Sequence, residues 1–302
     1  MAGMEGAVRH GKLKSAAPGW SNRTPVSEGL RILQLSDPHL LADPAGLCRG
    51  RPSLALFRHA LTAALDQLAR DGTPPDRLLL SGDLCHDETW GGYARLRELL
   101  AADPTLPPVA LLPGNHDHGM RLRAALGRQV TLAPATVSLG RGAASWRLLL
   151  LDSHCPGRVD GRLETVQLAW LERELAQAEA EGTWVLLAVH HPPGPIGDAL
   201  LDTIDLQDGD ALLALLAERP VVRGLVFGHV HQHWQGWLPG PAGRPLLGCP
   251  STLCSFPAVQ PCPQGRPDDP GGLLLELGTA GEIRHRLLRW ELPGVFSLPN
   301  LP

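Results

Sequence analysis

Pro108-Val109-Ala110-Leu111-Leu112-Pro113-Gly114-Asn115-His116-Asp117 carries an apolar run straight into a turn and then into three polar side chains. A short apolar run of this kind reads as a strand buried on both faces, and Pro-Gly ends it. Four other places repeat the arrangement. Leu30 to Leu35 leads into Asp37-Pro38-His39, and Arg77 to Leu80 leads into Gly82-Asp83-Leu84-Cys85-His86-Asp87. Trp184 to Val189 leads into His190-His191, and Val221 to Phe227 into Gly228-His229-Val230-His231. Eight of the 13 histidines (His39, His86, His116, His118, His190, His191, His229 and His231) lie in or beside these segments. Five strand ends at one sheet edge would bring carboxylates, an amide and imidazoles together, a donor set able to hold two divalent metals.

Between these segments the spacing predicts helices. Leu54, Phe57, Leu61, Leu65 and Leu68 recur every three or four residues, the stripe of a helix packed on a sheet. Residues 89–102 read the same way, with Tyr93, Leu96, Leu99 and Leu100 inward, as do 164–181, with Leu168, Leu171, Leu175 and Ala178. A helix is expected over 207–218 and a strand over Trp146 to Leu151. Residues 245–248, 273–277 and 283–290 read as strands with no helix between them. Alternating strands and helices imply parallel β-α-β units, and the strand-rich end implies an antiparallel portion. The expected fold is α/β: two mixed β-sheets packed face to face and flanked by helices. One domain over 30–292 is expected, with a flexible extension over 1–29 and a tail over 293–302.

Composition narrows the function. A chain of 302 residues can bury a full core without a disulfide or structural metal. A net charge of -4 argues against nucleic acid as a principal partner, since phosphate contacts need a basic face. No apolar run approaches the ~20 residues that span a bilayer, so no membrane partner is expected. Residues 1–29 lack the apolar core of a signal peptide. The six cysteines form no C-x-x-C pair and read as free thiols in a reducing compartment, which points to the cytoplasm.

Taken singly, the segments differ in weight. Asp37-x-His39 puts two ligands on one side of an extended chain, but alone it reads as a capping Asp beside an unrelated His. Gly82-Asp83, a tight turn followed by an acid, suits a carboxylate shared by two ions; a helix-capping Asp is the alternative. Asn115 offers a neutral carbonyl, leaving His116 free to act on substrate. Only one of His190 and His191 can easily face the site. His229 and His231, two apart, share a side.

The order D-x-H, G-D-x-x-x-D, G-N-H-D, H and G-H-x-H resembles the calcineurin-like metallophosphoesterases. Within them the chain is most similar to the class III cyclic nucleotide phosphodiesterases of bacteria. That closer likeness rests on Leu35 to Leu40 continuing through Ala42-Asp43-Pro44-Ala45-Gly46, on the Tyr93 helix after Gly82–Asp87, and on Pro250-Ser251-Thr252. It covers about residues 31–257.

The resemblance implies that Asp37, His39, Asp83 and His231 hold a first metal. Asp83 would bridge to a second, completed by Asn115, His190 and His229. Iron(II) and manganese(II) are the expected ions, with zinc also suited. It implies 3',5'-cyclic AMP as substrate, opened at the 3'-ester to give 5'-AMP by a hydroxide shared between the ions. His116 and Asp83 would be catalytic, and His39, Asp83, Asn115, His116 and His231 would meet substrate. Alternatives are another phosphodiester or phosphomonoester, such as a phospholipid or nucleotide derivative, or a non-catalytic metal-binding module. His86 and His118 read as support for the ligands or as solvent contacts, and a homodimer is the candidate assembly. The chain departs from the family pattern at Arg49-Gly50-Arg51-Pro52-Ser53, where a stretch like Gly-Val-Asn-Thr or Gly-Val-Asp-Thr is expected.

Overall fold

The computed structural model describes residues 29–291 apart from Gly142. The extension expected over 1–29, save Gly29, and the tail over 293–302 lie outside those residues. The first half holds strands β1 (Leu30–Leu35), β2 (Leu47–Cys48), β3 (Arg51–Pro52), β4 (Arg77–Ser81), β5 (Val109–Leu112), β6 (Thr131–Leu132) and β7 (Ala135–Arg141). There follow β8 (Ala144–Leu150), β9 (Trp184–Val189), β10 (Val222–Phe227), β11 (Trp234–Trp237), β12 (Pro245–Gly248), β13 (Gly271–Leu277) and β14 (Ile283–Arg289). The helices are α1 (Ser53–Arg70), α2 (Trp90–Ala102), α3 (Gly119–Leu126), α4 (Glu164–Glu181) and α5 (Gly209–Ala217).

Two six-stranded sheets form, ordered β14-β13-β1-β4-β5-β6 and β11-β12-β10-β9-β8-β7. Strands β1, β4, β5 and β6 run parallel, as do β8, β9, β10 and β12; β13, β14, β7 and β11 pair antiparallel. Period-two alternation explains the layering. In β1, Leu30 and Ile32 face the other sheet, while Leu33 and Leu35 face the α1–α2 layer. Strand β9 does the same, with Leu186 and Ala188 between the sheets and Val185, Leu187 and Val189 toward α4 and α5. Continuous apolar runs are therefore needed, because both faces of each central strand are covered. The expected architecture of two mixed sheets flanked by helices is the one observed.

Element bounds follow the sequence closely where periodicity is long. Helix α4 spans the predicted range and ends at Gly182, whose φ of 64° supplies a left-handed cap. Helix α5 begins at Gly209 rather than 207, because the Asp208 carboxylate accepts from the backbone N–H groups of Leu163 and Glu164 at the start of α4. Helix α3, strands β6, β7 and β11 and the β2–β3 hairpin were not anticipated. Helix α3 buries only Leu122, Ala125 and Leu126, too few to show a period. Strand β7 lies at a sheet edge and carries Gly140 in its run. All six cysteines are free thiols. No helix among the described residues is long and apolar enough to cross a membrane.

Leu79 is fully buried between the sheets. Leu79→Ala should destabilise the fold by about 2–5 kcal/mol, read from urea unfolding. A loss below about 1 kcal/mol would contradict close packing of the two inner faces.

Candidate metal centre

All five polar segments begin within a few residues of the carboxyl ends of β1, β4, β5, β9 and β10, the usual crevice in open α/β sheets. The loops after β1 and β4 stay paired beyond their strands. Asp37 N–H donates to Gly82 O at 3.1 Å, His39 N–H to Asp83 O at 3.0 Å and Leu40 N–H to Leu84 O at 3.0 Å. The amide of Gln34 reaches across from β1, donating to Ser81 Oγ at 2.9 Å and Phe227 O at 3.2 Å, and so fastens one sheet to the other behind the site.

Local backbone geometry aims the side chains. Asp37, His39, Asp83, His229 and His231 have φ of 53°, 47°, 49°, 67° and 50°. Left-handed conformations are unfavourable for residues with a Cβ, by roughly 1–2 kcal/mol each. Five in one place mark a site held in shape by its surroundings. Gly114 permits a close approach, since a Cβ there would overlap the Asp83 carboxylate and backbone nitrogen.

Two groups of donors result, and Asp83 belongs to both. In the first, His39 Nε2 lies 3.1 Å from His231 Nε2 and 3.6 Å from Asp83 Oδ2, and His231 Nε2 lies 3.3 Å from Asp37 Oδ1. In the second, His190 Nε2 lies 3.4 Å from Asp83 Oδ1 and 3.3 Å from Asn115 Oδ1, which is 3.1 Å from His229 Nδ1. One Asp83 oxygen thus faces each group. Asp37, His39, Asp83 and His231 offer donor atoms all within 4.8 Å of one another, and all four are buried.

The hydrogen bonds decide which nitrogens are available. His231 Nδ1 is 2.9 Å from Cys254 O, and His190 Nδ1 is 2.8 Å from Ser81 O. A carbonyl can only accept, so both Nδ1 atoms carry hydrogen. In the neutral rings, each Nε2 therefore presents a lone pair to carboxylate and imidazole or amide acceptors. Acceptors converging on acceptors in a buried space suit a cation, and the residues fit the metals that the resemblance implies. His229 Nε2 adds a buried ring atom with no hydrogen-bond partner. His191 differs from its neighbour: Nε2 donates to Val159 O at 3.2 Å and Nδ1 accepts from Ser153 Oγ at 2.8 Å. Both of its nitrogens are engaged, whereas His190 Nε2 is turned into the site.

Electrostatics separate the imidazoles. Burial pushes His39 and His229 down to about 3, against the pull of Asp83. Burial also pushes on His190 and His231, but there the carboxylates win: Asp83 holds His190 at about 9, and Asp37 holds His231 at about 10. Burial likewise opposes ionisation of Asp37 and Asp83, yet His231 and His190 keep both carboxyls below their ordinary value. Protons on His190 and His231 thus occupy the positions where cations would stand.

The sequence assigns no individual role to Asp117 or Ser251 and gives His86 as support for the ligands or a solvent contact. Asp117 is fully buried and accepts from the N–H groups of Gly114, Leu84 and Cys85 at 2.9–3.0 Å and from Tyr93 Oη at 3.2 Å. It ties the Asp83 turn to the Asn115 turn, and an acid directly after His116 was its only signal. Burial, then repulsion from Asp83, lifts its carboxyl to about 7. His86 Nδ1 is 3.2 Å from His39 Nδ1, and its ring stacks on His116 at 4.7 Å. Ser251 Oγ donates to Asp37 O at 2.8 Å, anchoring the first loop through the Pro250-Ser251-Thr252 stretch. His116 itself is half-buried, donates its backbone N–H to Asp83 Oδ1 at 2.9 Å and packs edge-on to His39 at 5.0 Å.

Comparison with known proteins agrees with this geometry. The calcineurin-like phosphoesterase family matches residues 30–233, and the chain belongs to that family. It is 49% identical over 268 residues to a probable cyclic nucleotide phosphodiesterase of Synechococcus sp. (strain WH7803), covering 86% of this chain and 97% of that one. It is 35% identical over 237 residues to the 3',5'-cyclic adenosine monophosphate phosphodiesterase CpdA of Pseudomonas aeruginosa, covering 78% and 81%. Among solved structures, a dimetal phosphatase of Danio rerio superposes with a TM-score of 0.57 at 15% identity over 88% of this chain and all of that one. GAP50, the anchor in the inner membrane complex of Plasmodium, gives 0.53 at 12% identity over 89% and 91%. Those two likenesses concern the fold alone.

Two outcomes follow for metal uptake. His190 and His231 must lose protons held at about 9 and about 10, so metal affinity should rise from pH 6.5 toward pH 9, with protons released into weakly buffered solution. The metal-free protein should behave oppositely, since raised imidazole values stabilise it below about pH 6.5 and that stabilisation fades as pH climbs through about 9–10. Uptake without proton release would contradict the arrangement. Gly114→Ala should lower bound metal at least about tenfold by displacing Asp83, with metal content read by mass spectrometry.

Proposed function

We propose that this chain is a dinuclear-metal phosphodiesterase that opens the 3'-ester of 3',5'-cyclic AMP and releases 5'-AMP. The observation that carries the reading is Asp83, with Oδ2 toward His39 and Oδ1 toward His190. Asp37, His39, Asp83 and His231 hold one cation; Asn115, His190, His229 and Asp83 hold the other. Mixed nitrogen and oxygen ligation suits iron(II), manganese(II) or zinc. A pair of such ions supplies an activated water at neutral pH and offsets charge on phosphoryl oxygens.

The protein's own groups complete the chemistry. Asp83 is fixed by the His116 N–H, so substrate meets a carboxylate already oriented. The His116 ring stands at the half-buried mouth, stacked against His86. From there it holds the proton that the departing 3'-oxygen requires, the work of a general acid. His39, Asn115 and His231 border the same space and limit how the phosphate lies. Support for a cyclic nucleotide comes from the two relatives named for that activity. Fold likeness alone would not choose an enzyme, since one protein of this fold is named an anchor. The complete set of seven donor side chains favours catalysis over a binding module.

Metal-free protein reconstituted with iron(II), manganese(II) or zinc and offered cyclic AMP, cyclic GMP and an aryl phosphodiester tests the reading. Cyclic AMP turnover with two ions per chain is expected. Turnover of the aryl diester alone would favour a different phosphoester, and no turnover, with or without bound metal, would favour a non-catalytic module. His116→Ala should keep its metal and lose about 10²–10⁴-fold in kcat. Activity equal to the parent would remove His116 from the mechanism.

A further inference from the structure

The β2–β3 hairpin places an arginine where turn chemistry disfavours one. Cys48 pairs with Arg51, leaving Arg49 and Gly50 as a two-residue loop with φ of 49° and 72°. Two positive values mark the type I′ geometry, whose first position suits Asn, Asp or Gly. Arg49 has neither a short polar side chain nor the freedom of glycine to relieve that conformation. Its guanidinium nevertheless has a defined place, 5.0 Å above the Phe256 ring. Phe256 in turn stacks on His231, centroids 4.3 Å apart and planes 2° from parallel. The cation is therefore held on the His231 side of the metal centre.

Among the described residues nothing consumes its hydrogen-bonding capacity. Arg49 is exposed, and among the described residues no carboxylate or carbonyl accepts from its guanidinium. The rest of the hairpin is tied down. Arg51 Nη1 donates to Leu253 O at 3.3 Å, and Cys48 packs with Leu56, Leu253 and Cys254. An anchored hairpin, a strained residue at its tip and five guanidinium N–H groups with no acceptor among the described residues, beside a centre that would itself be cationic, call for an anion between them.

We propose that Arg49 is a substrate-binding residue whose guanidinium donates to a non-bridging oxygen of the phosphodiester, with Phe256 holding it in position. The inference rests on the phosphodiesterase reading, and it concerns residues at which the chain departs from the family pattern. A planar fork of donors suits phosphate oxygens, and the contact strengthens as charge accumulates on them during attack at phosphorus. Arg49 therefore contributes to both KM and kcat.

The test compares metal-loaded parent, Arg49→Ala, Arg49→Lys and Phe256→Leu on an aryl phosphodiester and on cyclic AMP, together with calorimetric binding of inorganic phosphate. Arg49→Ala should lose about 10–100-fold in kcat/KM and bind phosphate about tenfold more weakly, with metal content and melting temperature unchanged. Added guanidinium ion should restore part of the lost rate, Arg49→Lys should recover only part of it, and Phe256→Leu should give a smaller loss in the same direction. Unchanged kcat/KM and phosphate affinity in Arg49→Ala would overturn the proposal, as would a loss that follows lost metal. Should the parent hydrolyse the aryl diester but not cyclic AMP, the nucleotide reading fails while the Arg49 comparison still decides this one. Should it hydrolyse neither, the phosphate affinities decide it.

Discussion

A single buried carboxylate, that of Asp83, faces both halves of the site, and the arrangement of nearly everything nearby follows from keeping it there. Its backbone is left-handed, its Oδ1 accepts the His116 N–H, and the absence of a Cβ on Gly114 leaves room for it. Asp117 gathers the turns on either side by accepting three backbone N–H groups. Each of these features fixes one degree of freedom of a group that would otherwise be turned toward water. Two ionised carboxylates and several neutral imidazoles brought into a buried space are unfavourable by themselves. Cations, or the protons that stand in for them, make the arrangement tolerable.

The sandwich explains why such a site can form at all. Parallel strands in both sheets end at the same edge, so loops far apart in sequence arrive side by side. Gln34 fastens those edges together immediately behind the donors, and the Gly228 N–H bond to His190 O continues the β9–β10 pairing beside them. The apolar layers on both faces of each sheet hold the strand ends in register, and the turns need only aim the side chains. A scaffold of this kind can host different activities, and two solved structures share its fold at 15% and 12% identity. Here the rim carries the Arg49–Phe256–His231 stack, a feature of the hairpin rather than of the sheets.

Much of this was legible in the chain. Long apolar periods marked α1, α2 and α4, and uninterrupted apolar runs marked the central strands, because burial on both faces demands them. The polar segments at strand ends pointed to the donor set for the same reason: side chains at the carboxyl edge of a parallel sheet share one crevice. Short or half-exposed elements were missed. Helix α3 and strand β7 owe their shape to packing against neighbours, and eight or seven residues carry too little pattern to announce it.

Residue types and their order along the chain thus determined the layered fold, the family and the identity of the converging side chains. Tertiary structure alone decided which nitrogen of each histidine is turned inward and why His191 is engaged elsewhere while its neighbour is not. It alone decided that Asp117 is a tie between turns and that Arg49 stands above Phe256. Those outcomes depend on hydrogen-bond partners and ring contacts contributed by residues far away in sequence. Spacing along a chain encodes which face a side chain takes, but not which distant atom it will meet there.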